Sequence, residues 1–219
     1  MTLNFEKIHF IRKKLEQEGL ETPFYPRNIL DKNSKKKIEN YIYKIICLLN
    51  LDFNNKEISV IPKRIVKMYT EDIFFGLDYN NFPKMNFIEN KMNINEMITI
   101  SNITLTSICE HHFLIIDGKA TVSYIPKNKI IGLSKIIKIV HFFSKRPQIQ
   151  ERLTKQILVT LQMILETKNV AVFIDALHYC IKARDIHDST STTITKSFGG
   201  IFKSNNKTKQ EFLNSVTRF

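Results

Sequence analysis

Residues Ser107 to Gly118 read S-I-C-E-H-H-F-L-I-I-D-G, and this stretch constrains the chain more than any other. Cys109, Glu110, His111 and His112 set a thiol, a carboxylate and two imidazoles side by side. Thiolate and imidazole are the ligands zinc prefers, at roughly 2.3 Å for sulfur and about 2.0–2.1 Å for nitrogen. Adjacent residues cannot close such a site alone, so a further ligand must arrive from elsewhere. The best partner is H-Y-C, His178 to Cys180. If that segment is a strand, His178 and Cys180 share a face, because side chains alternate with period two. Any fold must therefore bring two distant segments together. The spacing is not that of a closed structural zinc site. Two thiolates and one imidazole leave a fourth position open to water, which is the catalytic arrangement. Taken singly, a buried Cys is a small core hydrophobe, and only the combination points to metal.

The three cysteines are an odd count, which argues against a disulfide framework and fits a reducing cytosol. Cys47, in Y-K-I-I-C-L-L-N, reads as inert core. The N-terminus lacks the unbroken apolar region of a signal peptide. No run of about 18 apolar residues suggests a membrane span. The net charge of +12 raises the question of nucleic acid. The lysines are scattered, however, with Lys35-Lys36-Lys37 the only tight run. No nucleic-acid motif is present, and a small polyanionic substrate explains local basic clusters better.

Helical periodicity predicts helices over residues 3–18, 33–50 and 62–75, the second with Ile38, Ile42, Ile45 and Leu49 on one face. Gly19 and Gly76 serve as stops. These helices read as an accessory layer, and residues 1–83 as an N-terminal helical region. After Asn81 the pattern turns to β-branched alternation at 86–90, 96–108 and 118–125, with Asp117-Gly118 as a turn signal. Two amphipathic helices follow at 134–145 and 148–166, separated by Arg146-Pro147. Strands at 170–182 and 192–202 and a helix at 208–217 close the unit. The order ββααββ over residues 84–219 describes an α+β domain, an antiparallel sheet with two helices on one face.

C-E-H-H-F, I-G-L-S-K, Q-I-Q-E-R-L-T-K-Q, H-Y-C-I-K-A-R and S-F-G-G-I-F-K, in that order, closely resemble GTP cyclohydrolase I of the bacterial type. The likeness extends upstream to P-K-R-I-V-K-M-Y and G-L-D-Y-N-N-F-P, covering nearly the whole chain. It implies the tunnelling fold, a homodecamer of two pentamers with sites between subunits, and a cytoplasmic enzyme of folate biosynthesis. The implied reaction is hydrolysis of GTP to formate and 7,8-dihydroneopterin triphosphate, with zinc as the metal. It also implies Cys109, His112 and Cys180 as ligands and His111 and His178 as acid–base groups. Glu151 matches the carboxylate that accepts from guanine N1–H and the 2-amino group, with Gln150 beside it. Read without the resemblance, Glu151 is an exposed helix charge four residues before Lys155. Lys135, Lys138, Arg184 and Arg64 match triphosphate-binding positions. Ser134 is placed to cap its helix and to meet ribose or phosphate.

Three positions depart from the family pattern. Lys138 stands where Arg is usual, so a bidentate phosphate contact becomes a point charge. Asp185 replaces the usual Gly and His187 a usual Arg. Together they predict weaker GTP affinity than in relatives. Two other readings compete: a related enzyme acting on a pterin or deazapurine, and a non-catalytic protein with structural zinc.

Overall fold

The computed structural model describes residues 5–24, 31–184 and 187–216. Helix α1 (Phe5–Gln17) buries Ile11 and Leu15 completely and is followed by Gly19 at φ +66°. Helix α2 (Lys32–Leu48) starts at Asp31, whose carboxylate accepts from the Ser34 N–H. Short helices α3 (Lys56–Ser59) and α4 (Ile61–Lys67) come next, Pro62 opening the latter. The helix expected over 62–75 is regular only to Lys67. Met68–Ile73 then widens into a π-type turn before Gly76.

The sheet region begins with β1 (Phe87–Glu89), β2 (Ile98–Cys109), β3 (Ile115–Tyr124) and β4 (Lys129–Ile131). Helix α5 (Leu133–Ser144), a two-residue strand β5 (Pro147–Gln148) and helix α6 (Gln150–Leu165) follow. The chain continues through β6 (Val170–His178), the single turn α7 (Tyr179–Lys182) and β7 (Thr193–Phe198). It closes with α8 (Ile201–Ser204) and α9 (Asn206–Val216). The main sheet runs β5-β2-β3-β6-β7, antiparallel except for β5, and β1 pairs with β4 separately. The α+β class holds.

Strand alternation decides which residues meet the helices. Val170, Val172, Ile174 and Ala176 of β6 join one core with Ile136, Ile139 and Val140 of α5 and Leu153, Ile157 and Leu161 of α6. Ile11 and Leu15 of α1 belong to that same core. The N-terminal helices are therefore not all accessory. Ala171 faces the other way and packs with Phe202 and Phe212, so the C-terminal helices cover part of the opposite face.

Several expectations need correction. Asp117-Gly118 is not a turn: both lie inside β3, opposite Thr106 and Leu105 of β2. Gly118 is there because β6 passes too close for a side chain. A Cβ would run into the Asp175 carbonyl and come within 2.5 Å of the Ala176 Cβ. The strand expected over 170–182 ends at His178 and turns into α7. The strand expected over 192–202 stops at Phe198, where Gly199 and Gly200 give way to α8. Cys47 is exposed rather than core, as are Ile45 and Leu49 on the α2 stripe.

Candidate active site

The β2–β3 hairpin turns at C-E-H-H-F-L itself. The Cys109 N–H donates to the Leu114 carbonyl at 2.8 Å, and the Phe113 N–H to the Cys109 carbonyl at 2.8 Å. Phe113 sits at φ +53°, a cost that a β-turn accepts when surrounding contacts fix it. Those contacts are aromatic: the Phe113 ring lies 5.8 Å from Phe74 and 6.4 Å from Tyr69, centroid to centroid. The wide turn at Met68–Ile73 thus anchors the hairpin tip.

Cys180 arrives from β6 by way of α7. Its Sγ lies 4.0 Å from Cys109 Sγ, and His112 Nδ1 is 3.9 Å from the same sulfur. The ligand atoms of Cys109, His112 and Cys180 all lie within 4.8 Å of one another. Because residues 179–182 are helical, the sharing of a strand face by His178 and Cys180 does not occur. The helical turn swings Cys180 toward Cys109, while His178 stays on the sheet opposite Ile116. Burial, and then the neighbouring Cys109 sulfur, push the Cys180 thiol above its ordinary value. Two sulfurs and an imidazole held this close suit a thiophilic cation, and the donor set fits zinc.

His111, one residue from His112, also approaches Cys109, with Nδ1 3.9 Å from Sγ. His178 is half-buried and donates from Nε2 to Gln150 Oε1 at 2.8 Å. The amide orientation of Gln150 follows from its other contacts. Its Nε2 donates to the carbonyls of Thr193, at 2.7 Å, and Ile174, at 3.2 Å. Oε1 can then only accept, so neutral His178 carries its proton on Nε2 and leaves Nδ1 free. Burial pulls the His178 pKa below its ordinary value, while the nearby Glu151 carboxylate pulls the other way. Gln150 is 1 % exposed and its amide is engaged by protein groups. Glu151, the next residue, is exposed.

The basic residues are placed as follows. Arg184 follows α7, near enough to favour the Cys180 thiolate. Ser134 and Lys135 lie in the first turn of α5, with Lys138 one turn on, and Arg64 is exposed on α4. Ser134 does not cap α5, since Gly132 occupies that position. Asp185 lies outside the described residues, and His187 is exposed at φ +52°.

Sequence reasoning passed over Arg152 and Arg146. Arg152 is buried and donates from Nη2 to the Glu110 carboxylate and, at 3.0 Å, to the Pro147 carbonyl. Its signal was a lone cation beside Leu153 on the apolar stripe of α6. In the sequence Arg146 reads only as a separator between two helices. It is fully buried, pairs with Glu21 at 2.8 Å, donates to the Gly76 carbonyl, and lies over the rings of Tyr79, Phe142 and Phe143.

Comparison with known proteins agrees with this geometry. The family model for GTP cyclohydrolase I matches residues 38–217. GTP cyclohydrolase 1 of Blochmanniella pennsylvanica is 55% identical over 216 residues, covering 99% of this chain and 98% of the relative. The proteins of that name from Serratia proteamaculans and Sodalis glossinidius are 56% identical over 216 residues and 57% over 209. The Serratia match covers 99% of this chain and 98% of the relative, and the Sodalis match 95% of each. With the thiols and imidazole converging and the likeness running end to end, the chain belongs to the GTP cyclohydrolase I family.

Proposed function

We propose that this protein hydrolyses GTP to formate and 7,8-dihydroneopterin triphosphate, the entry step to folate, with Cys109, His112 and Cys180 holding a zinc ion. The convergence of those three side chains carries the reading. When bound, zinc supplies Lewis-acid polarisation and lowers the pKa of a coordinated water to about 7.

The chain's own residues do the rest. Glu151 accepts from guanine N1–H and the 2-amino group, donors that adenine lacks at those positions. Gln150 contributes to substrate binding through the His178 ring it orients. Opening the purine at C8 leaves N7 in need of a proton, and His111 supplies it. His178, neutral with Nδ1 free, accepts and returns protons near C8 and the ribose; an imidazole titrates close enough to neutrality to do both. Lys135, Lys138, Arg184 and Arg64 neutralise the triphosphate, and Ser134 hydrogen-bonds ribose or phosphate near the start of α5. Lys138, Asp185 and His187 weaken that grip relative to relatives.

Residues 84–219 form the catalytic tunnelling-fold unit in this reading, and 1–83 the helical region that helps assemble it. Sheets from several subunits join into a barrel, two pentamers make a decamer, and the enzyme works in the cytoplasm without a nucleic-acid or membrane partner. No helix among the described residues is long and apolar enough to cross a membrane. The test is incubation with GTP, reading formate release and pterin fluorescence after oxidation, with zinc counted per subunit. One zinc per subunit and both products support the reading. Cys109→Ser, His112→Ser or Cys180→Ser should abolish turnover together with bound zinc; full activity in any of them refutes the ligand set.

A further inference from the structure

Glu110 sits inside the metal-bearing turn, between one ligand and the other, yet its carboxylate is not part of the Cys109–His112–Cys180 group. Zinc accepts carboxylate readily, so something must hold Glu110 aside. The structure shows what does. The Glu110 N–H donates to the Gln148 carbonyl at 3.0 Å, and its carboxylate receives Nη2 of Arg152. Both grips lead back to one place. Arg152 Nε donates to Gln148 Oε1 at 3.1 Å, and the same guanidinium reaches the Pro147 carbonyl. Gln148 is itself fixed, since its amide nitrogen donates to the Phe143 carbonyl at 2.8 Å and to Gln156 Oε1 at 2.6 Å. Gln156 in turn donates to the Leu20 carbonyl at 2.6 Å. Arg152 is 8 % exposed, so its fork is set by buried partners before Glu110 meets it.

Resting on the metal-site reading above, we infer that Arg152 is a positioning residue, a clamp that fixes the metal-bearing turn through Glu110 and keeps that carboxylate out of the ligand set. Glu110 is the handle and β5 the fixed wall. The parallel pairing of Ile108 with Pro147 and of Cys109 with Gln148 registers the end of β2 against this wall. The clamp then holds Glu110, the residue after Cys109, at both its backbone and its side chain. A planar, doubly anchored guanidinium suits this task, because its fork direction is fixed once two donors are engaged. Partners that orient metal ligands typically change affinity by about 10–100-fold when removed.

The experiment uses the full chain and zinc. Zinc affinity is measured by chelator competition for wild type, Arg152→Met, Glu110→Gln and the double variant, and the absorption bands of the cobalt-substituted proteins report ligand geometry. Each single variant should bind zinc about 10–100-fold more weakly and shift the cobalt bands. The double variant should be no weaker than the worse single, because both changes cut one link. Circular dichroism checks that each variant is folded. Should Arg152→Met not fold, Glu110→Gln decides alone, since Glu110 is partly exposed. Wild-type affinity with unchanged cobalt bands in the folded variants overturns the clamp, as does a double variant whose loss is the product of the singles. If wild type itself takes up no zinc, the metal reading fails and the clamp with it. If wild type binds and the variants bind equally, only the clamp fails.

Discussion

His178 shows how neighbours set the chemistry of one side chain. Its ring is recognisable in H-Y-C, but its tautomer is decided by Gln150, whose amide is turned by carbonyls of β6 and β7. Burial holds its pKa below the ordinary 6.5, so the neutral ring persists as pH falls through that value. Followed by NMR in the free protein as pH is lowered, the His178 ring should therefore titrate below 6.5; a midpoint above it would remove His178 as the neutral proton acceptor. The same depression means the unfolded chain takes up this proton first, so stability declines as pH falls from 6.5 toward the lowered folded value. Glu151 tests recognition. Glu151→Gln should lower kcat/KM for GTP by about 10- to 100-fold, the worth of a charged hydrogen bond. An unchanged ratio would make it a surface charge beside Lys155. Asp185→Gly should lower KM for GTP, and no change or a rise would end the proposal that Asp185 weakens phosphate binding.

Among the elements, the hairpin and the buried arginines carry the lesson of close approach. D-G is a strong turn signal by composition, yet Gly118 answers to a crowding strand, not to a turn. Nothing local in the sequence says that β6 will pass there. Arg146 beside Pro147 looks like a helix break, and it is one; that it closes a buried pair with Glu21 depends on where α1 ends. Arg146→Met leaves the largely buried Glu21 carboxylate with the Tyr79 hydroxyl but without the guanidinium, and breaking a buried pair costs up to about 3–5 kcal/mol. Urea denaturation followed by circular dichroism would read this, and a midpoint equal to wild type would show the pair to be incidental. Glu166, at φ +55° after α6, accepts from both Lys7 and Lys129 at 2.8 Å, which hold its pKa down to about 2. Its contribution is full above 4.5 and is lost as pH falls toward 2, tying α1 and β4 to the end of α6. Glu166→Gln should reduce the stability difference between pH 7 and pH 3.

At the scale of the molecule, the single chain leaves much apolar surface uncovered. Tyr41, Ile45, Leu48 and Leu49 of α2 and its end are exposed, as are Phe5 and Phe10 of α1. Tyr41, Ile45, Leu48 and Leu49 recur at helical spacing, and an exposed apolar stripe of this kind is the surface that the proposed decamer would cover. Ile45→Asp with Leu49→Asp should reduce the mass seen by light scattering below that of wild type. An unchanged mass would place the subunit contacts elsewhere.

The two Cys/His motifs that converge, the α+β class and the family were legible in the sequence because they rest on residue identity and short periodicity, which each segment carries within itself. The tertiary structure decided the rest. It placed the hairpin tip at the metal motif, curled residue 180 out of the strand, turned Ala171 toward a second layer, and buried Arg146 and Arg152. Those outcomes depend on which segments pack together and how closely, and no stretch of chain encodes that by itself.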